Sequence, residues 1–155
     1  MADIVDRATR SRMMSGIRCA NTKPEIHIRS LIHRQGFRFR LHVRDLPGVP
    51  DIVLLRFRAV IFVHGCFWHG HDCHLFKMPS TRREFWDSKI VRNRENDQRV
   101  VEALHLRGWR VATVWECTIK GRSKLDDNML AERLAVWLRH GHNDLELSAS
   151  NRGKN

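Results

Sequence analysis

Ala59-Val-Ile-Phe-Val63 runs straight into His64-Gly-Cys-Phe-Trp-His-Gly-His-Asp-Cys-His74, and this junction decides how the chain is read. The first five residues are apolar enough for a buried strand. The segment that follows packs four histidines, two cysteines and two adjacent aromatic rings into one short stretch without apolar periodicity. Imidazoles and thiols at that density supply soft metal ligands and acid–base groups. The site is therefore expected here, at the end of a strand.

Working outward, Thr22-Lys-Pro-Glu25 matches a capping box with Pro in the first turn, so a helix starts there. Ile28, Leu31 and Ile32 form its apolar stripe and Gly36 stops it. Phe37 to Val43 alternates apolar and polar residues and predicts a strand. Pro47-Gly48 marks a turn. Asp51 to Leu55 and Ala59 to Val63 read as a hairpin joined by Arg56-Phe57-Arg58. A long charged helix is expected from Arg83 toward Leu106, then a strand from Trp109 to Trp115. Asp126 or Asp127 caps a last helix carrying Leu130, Leu134 and Leu138. Beyond His142 the composition turns polar and is expected to fray. The order helix, three strands, helix, strand, helix predicts an α/β sandwich with a mixed central sheet flanked by helices. The expected organisation is a basic arm over 1–20, one domain over 21–140 and a polar, disordered tail over 141–155.

The chain has 155 residues, enough for one domain with a sizeable core, and a net charge of +11 carried mostly by arginine. The guanidinium fork suits phosphates and base edges, which points to nucleic acid as the partner. No apolar run approaches the roughly 20 residues of a membrane span, and no signal-peptide pattern is visible. Four cysteines without a secretory pattern read as metal ligands or free thiols in a reducing cytoplasm.

Cys66, His71 and Cys73 lie in one loop, and Cys117 follows the Trp109 to Trp115 strand. Together they make a Cys₃His set, the closed shell of a structural zinc, with His74 able to exchange for His71. Glu25 and Asp51 are hard oxygen ligands of the kind that hold Mg²⁺ beside a phosphate. Pro50-Asp51 alone is ordinary turn chemistry; its weight comes from lying one hairpin before His64. His64 and His69 are the imidazoles left for acid–base work. Phe67, Trp68 and Trp86 read either as core or as a wedge that unstacks base pairs. Met14 and Ile17, on an arm with Arg10, Arg12 and Arg18, could enter from the other groove or dock onto the body.

Pro50-Asp51, Val60 to His69, His71-x-Cys73, Phe85-Trp86 and Gly108-Trp-Arg-Val-x-x-Val-Trp-Glu-Cys117 resemble the very-short-patch repair (Vsr) DNA mismatch endonucleases. Ala8-Thr-Arg-Ser-Arg-Met-Met14 is similar to that family's N-terminal arm. The resemblance implies a restriction-endonuclease-like (PD-(D/E)xK) fold with a structural zinc. It implies strand-specific nicking 5′ of the thymine in a T:G mismatch left by 5-methylcytosine deamination. Carried over by residue, Asp51 binds magnesium together with the backbone carbonyl of Val63. His69 is the general base, Glu25 its acidic neighbour, and His64 the residue near the scissile phosphate. Cys66, His71, Cys73 and Cys117 fall on the zinc ligands. Phe67, Trp68 and Trp86 fall on the intercalating aromatics, with Met14 and Ile17 on the clamping arm. The implied partners are mismatched double-stranded DNA and mismatch-repair proteins, engaged by a monomer in a nucleoid-associated, bacterial-type cytoplasm.

The chain departs from the family in having Val63 where Thr is common. The wider restriction-endonuclease motif expects an acid and a lysine where this strand reads Phe62-Val63-His64, a deviation the repair family shares. Two other readings of the same residues are a less selective nuclease of this fold and a zinc-stabilised DNA-binding module without catalysis.

Overall fold

The computed structural model describes residues 21–149. Its centre is a four-stranded mixed sheet in the order β1-β2-β3-β4. β1 (Ile52–Leu54) runs antiparallel to β2 (Ala59–His64), with Ile52 opposite Ile61. A single 3₁₀ turn over Leu55–Phe57 joins them, closed by Arg58 in a left-handed conformation. β3 (Arg110–Trp115) lies parallel to β2, which sets Trp115 beside His64 at the end of the pair. β4 (Leu145–Leu147) adds in parallel to β3.

Because successive strand residues face opposite sides, the sheet can bury both faces only if both kinds of position are apolar. They are. Ile52, Leu54, Ile61, Ala112 and Val114 pack with α1 (Lys23–Arg34) and α3 (Asp127–His140) into one core. Val53, Val60, Phe62 and Val111 pack with Leu104 of α2 (Arg83–Leu106) into a second. The result is three layers, with the β2–β3 pair at the centre of the sheet. A parallel sheet covered on both faces demands such continuous apolar runs.

Local signals hold at the helix ends. Thr22 Oγ1 accepts from the Glu25 backbone N–H at 3.4 Å, and Asp126, not Asp127, caps α3 by accepting from Asn128 N at 2.6 Å. The box at α1 is displaced by one residue, since the Glu25 carboxylate accepts from Asn21 N at 2.8 Å.

Two expectations are corrected. The 37–43 segment is not a strand; it touches the sheet only through a bridge between Arg40 and Val53, with bonds of 2.9 and 2.8 Å. Its alternation is genuine, for Phe37 enters the core and Phe39 packs against it. However, β1 is too short to pair further, and His42 turns left-handed at φ 51°. The stretch beyond His142, expected to fray, instead supplies β4. Leu147 is fully buried there, and Asp144 anchors the approach by accepting from Val111 N at 2.9 Å. Among the described residues no helix is long and apolar enough to cross a membrane.

Candidate active site and thiolate cluster

β2 delivers the chain to the site, and the loop after it folds back in tight turns. His71 N donates to Cys66 O at 2.8 Å, and Gly70 N to Phe67 O at 3.2 Å. Gly70 has φ 62°, and a Cβ there would lie 2.5 Å from Ile90 Cγ2 of α2. Glycine is therefore required both for the backbone and for the close approach.

Glu25, Asp51, Val63, His64 and His69 all border one cavity of about 900 Å³. Glu25 is the single buried charged residue among the described residues. Its Oε2 accepts from Asn21 N at 2.8 Å and from Arg29 Nη2 at 3.0 Å. Arg29 Nη2 also donates to His42 Nε2 at 3.0 Å. Asp51 Oδ2 accepts from Val63 N at 2.7 Å. Burial raises the Asp51 carboxyl to about 7; the Val63 N–H opposes the rise and the adjacent Glu25 adds to it. Two carboxylates in contact repel by roughly 4 kcal/mol at an effective dielectric near 20. A shared proton or a cation must relieve that repulsion, so the corner is chemically suited to a hard divalent ion.

His64 and His69 stack face to face, centroids 3.9 Å apart and planes within 3°. His69 Nδ1 pairs with Asp97 Oδ2 of α2, which leaves Nε2 as its free nitrogen. His64 Nδ1 is buried with no hydrogen-bond partner. Burial, then the neighbouring His69, lowers its pKa to about 3, so the ring is neutral.

Beside the imidazoles, the ligand atoms of Cys66, His71, Cys73 and Cys117 all lie within 4.8 Å of one another. His71 Nδ1 faces Cys117 Sγ at 3.7 Å. The hydrogen bond between Cys66 and Cys117 lowers the Cys117 thiol and raises that of Cys66. The Ala149 N–H also points at Cys117 Sγ, at 3.4 Å. Three sulfurs and one imidazole within that span fit a tetrahedral metal ion. The choice between His71 and His74 falls to His71; His74 lies outside the group, with a buried, unpartnered Nε2 close to Gly121.

Phe67 and Trp68 of the loop and Trp86 of α2 meet one another edge to face, with centroids 5.1 to 5.7 Å apart. These half-buried rings belong to neither core and form their own cluster, with Phe67 and Trp68 at the cavity wall. Met14 and Ile17 lie outside the described residues.

The profile of a family described as DNA mismatch endonuclease Vsr matches residues 2–75. The DNA mismatch endonuclease Vsr of Escherichia coli (strain K12) is 51% identical over 138 residues, 89% of this chain and 88% of that protein. The chain belongs to the DNA mismatch endonuclease Vsr family. The Type II nicking enzyme V.XorIIP of Xanthomonas oryzae pv. oryzae is 48% identical, covering 81% of this chain and 93% of that protein. V.NmeAIP of Neisseria meningitidis serogroup A is 40% identical, covering 79% and 88%.

In this Vsr-family chain four residues at the site escape sequence reasoning. Asp97 is one charge in the run Arg94-Glu-Asn-Asp-Gln-Arg99, and only the rotation of α2 turns it inward. Its signal is subtle: Asn93 and Asp97 share a stripe with buried Ile90 and Leu104, at helical spacing. Asn93 Nδ2 uses that position to donate to Trp68 O at 2.8 Å. Arg29 follows Glu25 by one helical turn, a spacing that brings side chains together. Trp115 was read only as an apolar strand residue.

Proposed function

We propose that this chain is a strand-specific nicking endonuclease cutting 5′ of the thymine in T:G mismatches that arise from 5-methylcytosine deamination, so initiating very short patch repair. Family membership supports mismatch endonuclease activity on DNA. The carrying observation is that Asp51, Glu25 and the His69–Asp97 pair face one cavity whose wall includes Phe67 and Trp68. The layered mixed sheet is read as a restriction-endonuclease-type (PD-(D/E)xK) frame.

In this reading Asp51, with the Val63 backbone carbonyl and Glu25 close by, holds Mg²⁺, and Cys66, His71, Cys73 and Cys117 hold a structural Zn²⁺. Bound magnesium would neutralise charge developing on the scissile phosphate. His69 takes the proton of the attacking water on Nε2, because Nδ1 is committed to Asp97. Asp97 then stabilises the imidazolium that results, the role a hydrogen-bonded carboxylate plays beside a base histidine. His64 stays neutral at the phosphate, held flat against the base. Arg29 and the Asn21 N–H hold one oxygen of Glu25 and keep the other available toward Asp51.

Phe67, Trp68 and Trp86 insert beside the wobble pair, where weak stacking lowers the cost of unstacking and so gives selectivity. Met14 and Ile17 clamp from the opposite groove. The protein acts as a monomer in the cytoplasm, with mismatch-repair proteins as further partners. The test is incubation with Mg²⁺ of a duplex bearing one T:G pair and of its matched control. One nick, only in the mismatched duplex, is expected. Cutting of both duplexes would indicate a less selective nuclease, and tight binding without cutting a zinc-stabilised binding module.

A further inference from the structure

We propose that Trp115 is a positioning residue for the catalytic imidazoles, a flat strut that holds the His64–His69 stack against the thiolate cluster. The inference rests on the reading of His69 as the base.

Four contacts carry it. The Trp115 ring meets His64 edge to face at 5.3 Å and 73°, and His69 at 6.1 Å and 72°. It also stacks on His71 at 4.2 Å and 15°. One indole therefore touches both imidazoles of the active site and one residue of the thiolate cluster. Its own orientation is set by Nε1, which donates to Glu146 Oε1 of β4 at 3.2 Å.

The need for a strut follows from how unequally the two imidazoles are held. Asp97 fixes the plane and tautomer of His69. Nothing polar holds His64 at Nδ1, which is buried without a hydrogen-bond partner. Its ring plane depends on packing alone: on His69, on Phe62 at 5.6 Å and on Trp115. Replacing the indole with a small side chain removes the one ring that, among the described residues, meets both imidazoles from outside the stack. The imidazoles then tilt, and a misplacement of about 1 Å at a reacting group costs up to about 100-fold in rate. The parallel register makes the arrangement rigid, because Trp115 and His64 are direct neighbours across β3 and β2. Cys117, two residues beyond Trp115, ties the same strand end to the cluster.

The experiment compares Trp115→Leu, Trp115→Phe and His69→Ala with the wild type, all purified with metal bound. It measures single-turnover nicking, KM for a T:G duplex, metal per chain and the NMR shifts of the His64 and His69 ring protons. Trp115→Leu is expected to lower turnover by about 10–100-fold with KM nearly unchanged. Metal content should be retained while both sets of ring-proton shifts move. Trp115→Phe keeps a flat ring and should recover most of the rate. If Trp115→Leu does not fold, Glu146→Leu carries the test: freeing the indole should lower turnover severalfold and shift the same ring protons. The inference is overturned if folded Trp115→Leu (or Glu146→Leu in its place) turns over within about twofold of wild type. It is equally overturned if the loss only follows lost metal. An inactive His69→Ala beside a fully active Trp115→Leu sinks the strut alone. An active His69→Ala sinks the assignment of the base and the strut with it.

Discussion

The thiolate cluster and the carboxylate corner draw on the same strand end, yet their donors are arranged in opposite ways. In the cluster three sulfurs and an imidazole converge on one another, and the backbone N–H of Ala149 already points at the Cys117 sulfur. That is a closed shell, suited to holding shape. In the corner Asp51 is half-buried beside another acid and its carboxyl is driven up to about 7. That is an open, under-compensated site, suited to taking up a cation and a substrate. Functional sites store unfavourable electrostatics which the surrounding fold must support. The substitutions below separate the two regions.

The largest effect is expected at the corner. Asp51→Ala should lower nicking by about 10³-fold or more while leaving folding and the metal content of the cysteine cluster unchanged; activity within tenfold of wild type would remove Asp51 from the mechanism. Asp97→Asn should cost about 10²–10⁴-fold in kcat with little change in KM, because the base loses its fixed tautomer. Steady-state kinetics on a T:G duplex decides it, and a KM effect alone would assign Asp97 to binding. Cys73→Ala should act through the other region, lowering metal content and the melting temperature by roughly 10 °C. Calorimetry with elemental analysis checks this, and a stable, fully folded metal-free protein would deny the cluster its structural role.

Asp51→Asn sharpens the contrast from the stability side. Between pH 4 and 7 the native carboxyl keeps a proton that the unfolded chain has released, so wild-type stability falls as pH rises through that window. The amide has no such dependence. Without Mg²⁺ the variant should become more stable than wild type by about 4 kcal/mol near pH 8, and the gap should close toward pH 4. Denaturant titrations at several pH values measure it, and a gap that does not vary would refute the strained-carboxyl account. Glu25 and Arg29 face the same group and are unchanged in both proteins. The smallest effect is at the aromatic cluster, where Trp68→Ala should reduce discrimination between mismatched and matched DNA by about tenfold. A loss of stability with discrimination intact would make the ring a packing element.

What the chain reveals unaided is local. The apolar runs in Ala59 to Val63 and Trp109 to Trp115, the caps at Thr22 and at Asp126 or Asp127, and the stops at Gly36 and Gly108 depend on near neighbours, and they locate the helices and the two central strands. The thiols were legible because Cys66 and Cys73 sit in a loop where no apolar period explains them. The alternation of Phe37 to Val43 misled, because alternation reports which residues face a core and not whether a partner strand is long enough to pair. Leu145–Leu147 was invisible for the converse reason: three residues amid polar neighbours make a strand only because β3 offers an edge beside them.

Local patterns in the chain were enough to say which chemistries are present and to place the three helices and the two central strands that carry them. The tertiary structure alone decided which groups meet: Asp97 across the cavity from α2, Trp115 against the imidazoles, and Asn21 and Arg29 on Glu25. The physical reason is that periodicity and capping act over a few residues. The partner of a buried charge or ring is instead set by how whole layers rotate and pack, and that information is spread over the entire chain.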